Sequence, residues 1–496
     1  MSILLSDLID HFPCKIVGDV SQHIIEKIEY RSSDAEHGCL FFCMPGAVRD
    51  GHDFAPIAYE AGCRAFVVER TLELPNDSVQ IVVDSSRSTL AALSARFFGN
   101  PAEKLTLIGI TGTKGKTTTS ILIQEILCSC GIPCAYIGSN GVIIGDRHFE
   151  TINTTPESRE LQYYFSMMVE LGITHVVMEV SSQALNNCRI SGLKFHTAIY
   201  TNLSRDHIGA GEHATFEEYR NAKRKLFTDY GAENIIYNAD DKYSDFMING
   251  ATAKMVSYAI ESKADLVGGY IHSYRDVTSL GIDFDVTRNG IKTGIRLRTP
   301  GEFSVYNGLA AIAACSVYGI TIRQCADCLR TISISGRFEI VDALDGITFI
   351  IDYAHNGISL TNALSVLQKY EPKRLICVFG SVGGRTFVRR RELAEAASAL
   401  ADFSVITSDN PDNEDPDDII RDILMYFDKS KPYITIADRE EAVRFAVRIA
   451  NEGDIVLFAG KGHETYQLVN GKKVPFSERT IILDEAARVR EKVGIN

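Results

Sequence analysis

Residues 105 to 120 read Leu-Thr-Leu-Ile-Gly-Ile-Thr-Gly-Thr-Lys-Gly-Lys-Thr-Thr-Thr-Ser, and Ile121–Leu127 continues as a helix. A strand, a glycine-rich turn and a helix in that order bring backbone N–H groups and the positive end of a helix dipole to one point, where an anion is stabilised. Lys116 can reach terminal phosphates from there, and the Thr117 hydroxyl can enter a Mg²⁺ shell. The spacing is not the common one, because Ile110 stands where the usual P-loop has its first glycine. Glycine and threonine also build ordinary strand-to-helix turns. Gly112, Gly115, Lys116 and Thr117 together carry more chemistry than a turn needs, and they predict a nucleoside triphosphate site.

A chain of 496 residues is too long for one core, so about two to four domains are expected. The formal net charge of −13 argues against a nucleic-acid or anionic-membrane surface. No apolar run approaches the roughly 20 residues that span a bilayer. The opening Met-Ser-Ile-Leu-Leu-Ser-Asp-Leu-Ile-Asp lacks a basic leader and reads as an amphipathic helix. Twelve cysteines are scattered without disulfide-like spacing, and Cys325-Ala-Asp-Cys328 has no second pair to complete a zinc site. With Ile322 and Leu329 beside them, these two cysteines are expected in a core. A cytoplasmic, reduced and monomeric protein is the expectation.

Three segments separate by pattern. Residues 1–101 mix short strands (38–42, 65–68, 81–83) with helices and end at Gly99-Asn-Pro101. Across 102–332, apolar strands at 105–110, 135–137, 175–178, 198–200 and 235–237 alternate with amphipathic helices. Residues 333–496 repeat the alternation, with strands at 348–351, 375–379, 403–407 and 455–458. This is α/β patterning and predicts mostly parallel sheets covered by helices. Ligands of such sheets collect beyond the carboxyl ends of the strands. Polar clusters stand there: Glu179–Ser182, Thr201–His207, Asp352–His355, Asp409–Pro411 and Gly460–Glu464. Glu179 could reach a Mg²⁺ held by Thr117, and His207 could add a second metal ligand.

Taken together the clusters resemble the Mur ligases, ATP-dependent amide ligases of peptidoglycan precursor synthesis. The resemblance runs over essentially the whole chain. Thr111-Gly-Thr-Lys-Gly-Lys-Thr117 fits that family's form of the phosphate loop. Gly336-Arg-Phe-Glu339, Asp352-Tyr-Ala-His355 and Gly460-Lys-Gly-His-Glu464 fit its carboxyl-terminal signatures. Asn153-Thr-Thr-Pro156, Glu179-Val-Ser-Ser182, Asn202-Leu-Ser-Arg-Asp-His207 and Tyr219-Arg-Asn-Ala-Lys223 look like the branch that adds the third amino acid, the MurE type.

The resemblance implies a three-domain architecture: a UDP-sugar-binding domain over 1–101, a central P-loop ATPase domain over 102–332 and a Rossmann-like amino-acid-binding ligase domain over 333–496. It implies that Gly112, Thr113, Lys114, Gly115, Lys116, Thr117 and Thr118 hold the phosphates of ATP, and that Asn307, Arg337 and Asp352 frame the adenosine. Thr117 and Glu179 would hold one Mg²⁺ and His207 a second. Lys223 matches a lysine the family carries as a carbamate (N6-carboxylysine), which turns a cation into a carboxylate-like metal ligand. Ser32 would touch the uridine end. Asn153, Thr154, Thr155, Ser181, Asn187 and Arg189 match positions around the sugar dipeptide. Arg385, Asp409, Asn410, Asp412, Gly460 and Glu464 match positions around the incoming amino acid.

The implied reaction has two steps: the D-glutamate carboxylate of UDP-MurNAc-L-Ala-D-Glu takes the γ-phosphate of ATP, and an amine then displaces phosphate from the acyl phosphate. In relatives that add meso-diaminopimelate, arginine follows Asn-Pro and clamps the distal carboxylate. Here the residue is Asp412, with Glu414 and Asp415 close by. An acid at that place favours a terminal ammonium, so L-lysine is expected, with L-ornithine and meso-diaminopimelate as alternatives. Arg385, Arg389, Arg390 and Arg391 could supply a replacement clamp, or bind the α-carboxylate while Glu464 receives the α-ammonium. Other readings are a folylpolyglutamate-synthetase-like ligase, a P-loop kinase or regulatory NTPase, and a silent binding protein.

Overall fold

The computed structural model describes residues 2–46, 49–205, 208–209, 213–276, 279–384 and 387–493. The chain divides into two compact units, residues 1–267 with 309–321 and residues 268–308 with 322–496.

The first unit contains two larger sheets besides a two-stranded ladder near its start. In the smaller, strands Lys27–Glu29, Cys39–Phe42, Ala65–Val68 and Val79–Val82 run parallel, and Lys15–Val17 closes one edge antiparallel. Cys39–Phe42 and Ala65–Val68 are buried along their whole length, as strands covered on both faces must be. The chain does not begin as the amphipathic helix its first ten residues suggest. Ile3 and Leu4 pair with Ile25 and Ile24 as a strand, and only Leu5–Leu8 is helical. The ladder and the Leu5 N–H bond to the His23 carbonyl take the backbone groups that a longer helix would use.

The larger sheet of this unit places strand Thr106–Thr111 between His175–Glu179 and Phe195–Tyr200, all parallel. Cys134–Gly138 lies beyond His175–Glu179, while Ala232–Asn238 and Lys254–Ala259 continue the other side. The chain thus leaves Thr106–Thr111 toward one edge and later crosses back to the other. Such a switch point opens a crevice above the carboxyl end of the central strand. Alternating residues Leu107, Ile137, Val176, Met178, Ala198 and Tyr200 fill one core.

In the second unit, Thr348–Asp352, Ile455–Ala459, Leu375–Phe379, Phe403–Ile406 and Tyr433–Thr435 form a parallel sheet in that spatial order, with Glu339–Val341 antiparallel at its edge. Helices pack on both faces around two clusters, one with Leu360, Leu364 and Ile419, the other with Val443, Val447 and Ile482. Two antiparallel hairpins have no counterpart in the sequence reading: Leu280–Arg288 with Ile291–Leu297, and Tyr466–Val469 with Lys472–Pro475. Cys325 and Leu329 are buried on helix Ile322–Leu329 while Cys328 is half-buried, so only the first cysteine of the CxxC packs in the core, and all twelve cysteines are free thiols.

Candidate active site

The phosphate loop is shaped by its glycines. Gly112 has φ of +152°, and a Cβ there would lie 2.0 Å from Thr201 Oγ1 and 3.1 Å from both Asn202 N and O. No side chain fits. Gly115, at φ +83°, makes the left-handed turn into helix Lys116–Ser129. The loop is fastened to the segment after strand Phe195–Tyr200: Thr113 N donates to Asn202 O at 2.8 Å, and Lys114 N donates to Asn202 Oδ1 at 2.9 Å. Thr201 Oγ1 and Asn202 Nδ2 donate to Lys114 O at 2.8 and 3.0 Å. Lys116 Nζ donates to the carbonyls of Gly112 and Thr113 at 2.9 and 3.1 Å, so its ammonium lies over the loop. Thr117 is buried in the first helical turn and Thr118 half-buried beside it.

Glu179 ends its strand next to this loop, since Val180 N donates to Ile110 O and Thr111 Oγ1 donates to Val180 O, both at 2.8 Å. Its carboxylate is buried. Oε1 accepts from Tyr136 Oη at 2.6 Å and from Ser139 N at 3.0 Å, and Oε2 accepts from Ser139 Oγ at 3.4 Å. Gly138 must be glycine here, because its Cβ would stand 2.3 Å from Glu179 Oε1. Thr155 Oγ1 donates to the Glu179 carbonyl at 2.8 Å and receives Ser181 N at 3.0 Å. Ser181 caps helix Ser182–Asn186. Arg189 donates to Glu157 Oε1 at 2.8 Å and to Thr155 O at 3.1 Å, and Thr154 Oγ1 lies 3.2 Å from Ser139 Oγ. Thr154, Thr155, Ser181 and Arg189 therefore form one connected wall with Glu179. Asn187 Nδ2 donates to Gln183 Oε1 at 3.4 Å at its rim. Asn153 is half-buried in the irregular segment before helix Ser158–Glu170, and Ser32 half-buried on the turn Ser32–Asp34.

Lys223, on helix Phe216–Thr228, is buried, and its Nζ donates to the Gly112 carbonyl at 2.8 Å. Tyr219, one turn earlier, holds its hydroxyl 3.1 Å from Thr113 Oγ1. His213 Nε2 lies 2.8 Å from Ser182 Oγ, with its ring centroid 5.4 Å from that of Tyr219. His207 and Arg385 lie outside the described residues. Tyr136, Ser139 and His213 were missed in the sequence because each contacts the site from a different element, and Tyr219 was read only as the start of the Tyr219–Lys223 motif, without a role of its own. Only Tyr219 had a signal there, one helical turn before Lys223.

The second unit gathers the remaining predicted residues. Asp352 is buried at its strand end; Oδ2 accepts from Phe338 N at 2.8 Å and Oδ1 from Ala354 N at 2.9 Å. Burial raises its carboxyl above the usual range against the opposing charge of Arg337. The Arg337 guanidinium lies 4.8 Å from the Tyr353 ring centroid, and Asn307 is buried on helix Glu302–Val317. Lys461, fully buried, donates to Asn410 Oδ1 at 2.7 Å and Glu464 Oε2 at 2.6 Å, while Asn410 Nδ2 donates to the same Glu464 oxygen at 3.0 Å. Asp409 Oδ1 stands 3.8 Å from Lys461 Nζ with no hydrogen-bond partner among the described residues. Asp412 has φ of +52°, and its Oδ1 accepts from Gly471 N at 2.8 Å, at the tip of the last hairpin. Of the arginine run, Arg390 is buried against Glu414 and Asp422, and Arg391 pairs with Glu395 at 2.7 Å.

The Mur ligase family catalytic domain matches residues 24–98, the Mur ligase middle domain 110–315, and the Mur ligase glutamate ligase domain 336–462. The chain is 41% identical to UDP-N-acetylmuramoyl-L-alanyl-D-glutamate–2,6-diaminopimelate ligase of Geobacillus thermodenitrificans, over 92% of this chain and 94% of the relative. The chain belongs to the Mur ligase family. The enzyme of the same name from Clostridium botulinum is 39% identical over 92% and 94% of the two chains. A solved structure of a UDP-N-acetylmuramoyl-L-alanyl-D-glutamate–2,6-diaminopimelate ligase superposes with a TM-score of 0.70 at 28% identity, covering 99% of this chain and 100% of that one. This Mur ligase is thus an α/β enzyme with the family's three domains, and a ligase. Among its described residues no helix is long and apolar enough to cross a membrane.

Proposed function

We propose that this Mur ligase joins an amino acid to the D-glutamate carboxylate of UDP-MurNAc-L-Ala-D-Glu, with ATP as the energy source and Mg²⁺ bound. One observation carries the reading: Lys116 and Lys223 converge on the Gly112 carbonyl, beside a buried Glu179 tied through Thr155 to Ser181 and Arg189. Phosphate-binding and carboxylate-binding groups therefore share one wall. The loop N–H groups, the helix terminus and Lys116 hold the γ-phosphate, and the dipeptide carboxylate attacks it to give ADP and an acyl phosphate. Arg189 and Thr155 orient the attacking carboxylate. The amine of the incoming amino acid then displaces phosphate. Positioning and charge neutralisation suffice for both steps.

Among the described residues no group of three or more His, Cys, Asp and Glu side chains could hold a metal. Mg²⁺ is commonly held by one or two carboxylates together with substrate phosphates and water. Glu179, whose Oε2 has only a 3.4 Å contact with Ser139 among the described residues, and the buried Thr117 hydroxyl are oxygen donors of the right kind. An ammonium at Lys223 is not, and a carbamate there is. Mg²⁺ supplies neutralisation of phosphate charge when bound at these side chains.

The uridine end falls to residues 1–101, the phosphates of ATP to 102–332 and the amino acid to 333–496. Lysine is the added amino acid in this reading, because Asp412 puts a carboxylate after Asn-Pro and the acids opposite Arg390 neutralise it as a clamp. A second reading, diaminopimelate, is favoured by the names of the relatives. Phosphate release with ATP, Mg²⁺ and UDP-MurNAc-L-Ala-D-Glu separates them when L-lysine, L-ornithine, meso-diaminopimelate and no amino acid are compared. Release with lysine and the matching product mass is expected. Release confined to diaminopimelate refutes the lysine assignment, and none with any amino acid refutes the ligase reading.

A further inference from the structure

Arg439 opens helix Arg439–Ile449, yet its guanidinium is buried rather than solvated. A cation at a helix N-terminus opposes the dipole, and burying it adds a desolvation penalty. Packing alone would be served better by an apolar side chain. The hydrogen bonds show what the guanidinium accomplishes. Nε and one terminal nitrogen donate to Glu478 Oε1 at 2.9 and 2.6 Å, and Glu478 is itself buried at the start of helix Glu478–Val493. That terminal nitrogen also donates to Ala459 O at 2.9 Å, and the other donates to Ser408 O at 3.0 Å.

Ser408 and Ala459 immediately precede Asp409 and Gly460. Their strands, Phe403–Ile406 and Ile455–Ala459, are not neighbours, because Leu375–Phe379 runs between them. No backbone ladder joins the two strand ends directly, and the ladders each makes with Leu375–Phe379 reach only Ile406 and Phe458. Arg439 spans the gap with a single planar group. Register matters here, because a Cβ on Gly460 would lie 2.8 Å from Asp409 Oδ2, and Lys461, Asn410 and Glu464 bond one another across the same seam.

We propose that Arg439, held by Glu478, is a positioning residue for amino-acid recognition: it locks the two strand ends so that Asp409, Asn410 and the Gly460–Glu464 turn present one preformed pocket. The proposal rests on the amino-acid ligase reading for its kinetic consequence.

The test uses the full-length enzyme with Arg439→Lys, Glu478→Gln and the double variant Arg439→Met/Glu478→Leu. KM for lysine and for ATP, the thermal midpoint and amide hydrogen exchange are measured on each. Lysine at 439 keeps the charge but loses the planar fork, so the amino-acid KM rises roughly tenfold while the ATP KM stays unchanged. The apolar pair recovers the thermal midpoint, as replaced buried ion pairs often do, without recovering the amino-acid KM. An unchanged amino-acid KM in Arg439→Lys overturns the proposal, and so does a double variant that recovers KM together with stability. Should the wild type show no amino-acid-dependent turnover, the ligase reading falls and exchange decides the positioning role. Faster exchange in Arg439→Lys confined to residues 408–412 and 459–464 sustains it; exchange unchanged there overturns it.

Discussion

Lys116 and Lys223 donate to the same oxygen, the Gly112 carbonyl, at 2.9 and 2.8 Å. Two ammonium groups on one acceptor repel each other, and one of them is buried. A carbamate at Lys223, as proposed, would replace that repulsion with attraction toward Lys116. Lys223→Ala is expected to lower turnover roughly a hundredfold or more, with partial rescue by formate or acetate. Lys116→Ala is expected to remove ADP formation without rescue. A labile mass gain of one carbon dioxide on the peptide carrying Lys223 checks the modification separately from activity.

Tyr136 holds Glu179 Oε1 at 2.6 Å from within the sheet core. Groups that orient a metal-binding carboxylate typically affect metal affinity or activity about 10–100-fold when removed. Tyr136→Phe, which keeps the ring, is expected to raise the Mg²⁺ concentration for half-maximal turnover by about tenfold. Mg²⁺ titration of the variant with ATP held saturating makes the check, and an unchanged curve would remove Glu179 from the metal site.

Gly112→Ala sets a methyl 2.0 Å from Thr201 Oγ1, and the Asn202 backbone on its other side cannot withdraw. The loop must then part from residues 201–202, which hold Thr113 and Lys114. Loss of nucleotide binding with the rest of the fold retained is expected, measured by ATP titration against far-ultraviolet circular dichroism.

His355 is held below the usual imidazole range, chiefly by burial, with the positive charge of Arg389 acting in the same direction. Its Nδ1–H donates to Tyr353 O at 2.8 Å. The unfolded chain takes up a proton first as pH falls through about 6.5, where free imidazole titrates. The stability present above that pH is therefore lost as pH falls toward the lower folded value. His355→Asn is expected to flatten the fall of the thermal midpoint between about pH 7 and 5.5, and an unaltered slope would show the imidazole titrating freely.

The strand ends were legible in the sequence because parallel strands are continuous apolar runs and the polar residues after them have no core role. Glu179, Asp352, Asp409 and Gly460 were found that way. The partners that hold them were not. Tyr136 looks like an ordinary strand aromatic, and Arg439 like an exposed helix residue next to Glu440 and Glu441. Their contacts to Glu179 and Glu478 join elements far apart in the chain, which periodicity does not report. The hairpin Leu280–Arg288 with Ile291–Leu297 escaped because the reading followed continuous apolar runs, whereas Ile282-Asp-Phe-Asp-Val286 alternates apolar and polar residues as a half-buried strand does.

Asp412 ties the specificity question to the fold. Its carboxylate accepts from Gly471 N and its backbone is left-handed, so part of its role is to hold the last hairpin against the Asn-Pro turn. Asparagine tolerates that backbone and can accept the same hydrogen bond while losing the charge. Asp412→Asn is therefore expected to keep stability but raise the KM for lysine severalfold, with the KM for ATP unchanged. Asp412→Arg loses the turn acceptor and adds a carboxylate clamp, so it should gain turnover with diaminopimelate at the expense of both lysine and stability. Wild-type preference for diaminopimelate, unchanged by Asp412→Asn, would instead mean that the carboxylate serves the hairpin alone and that the distal group is read elsewhere.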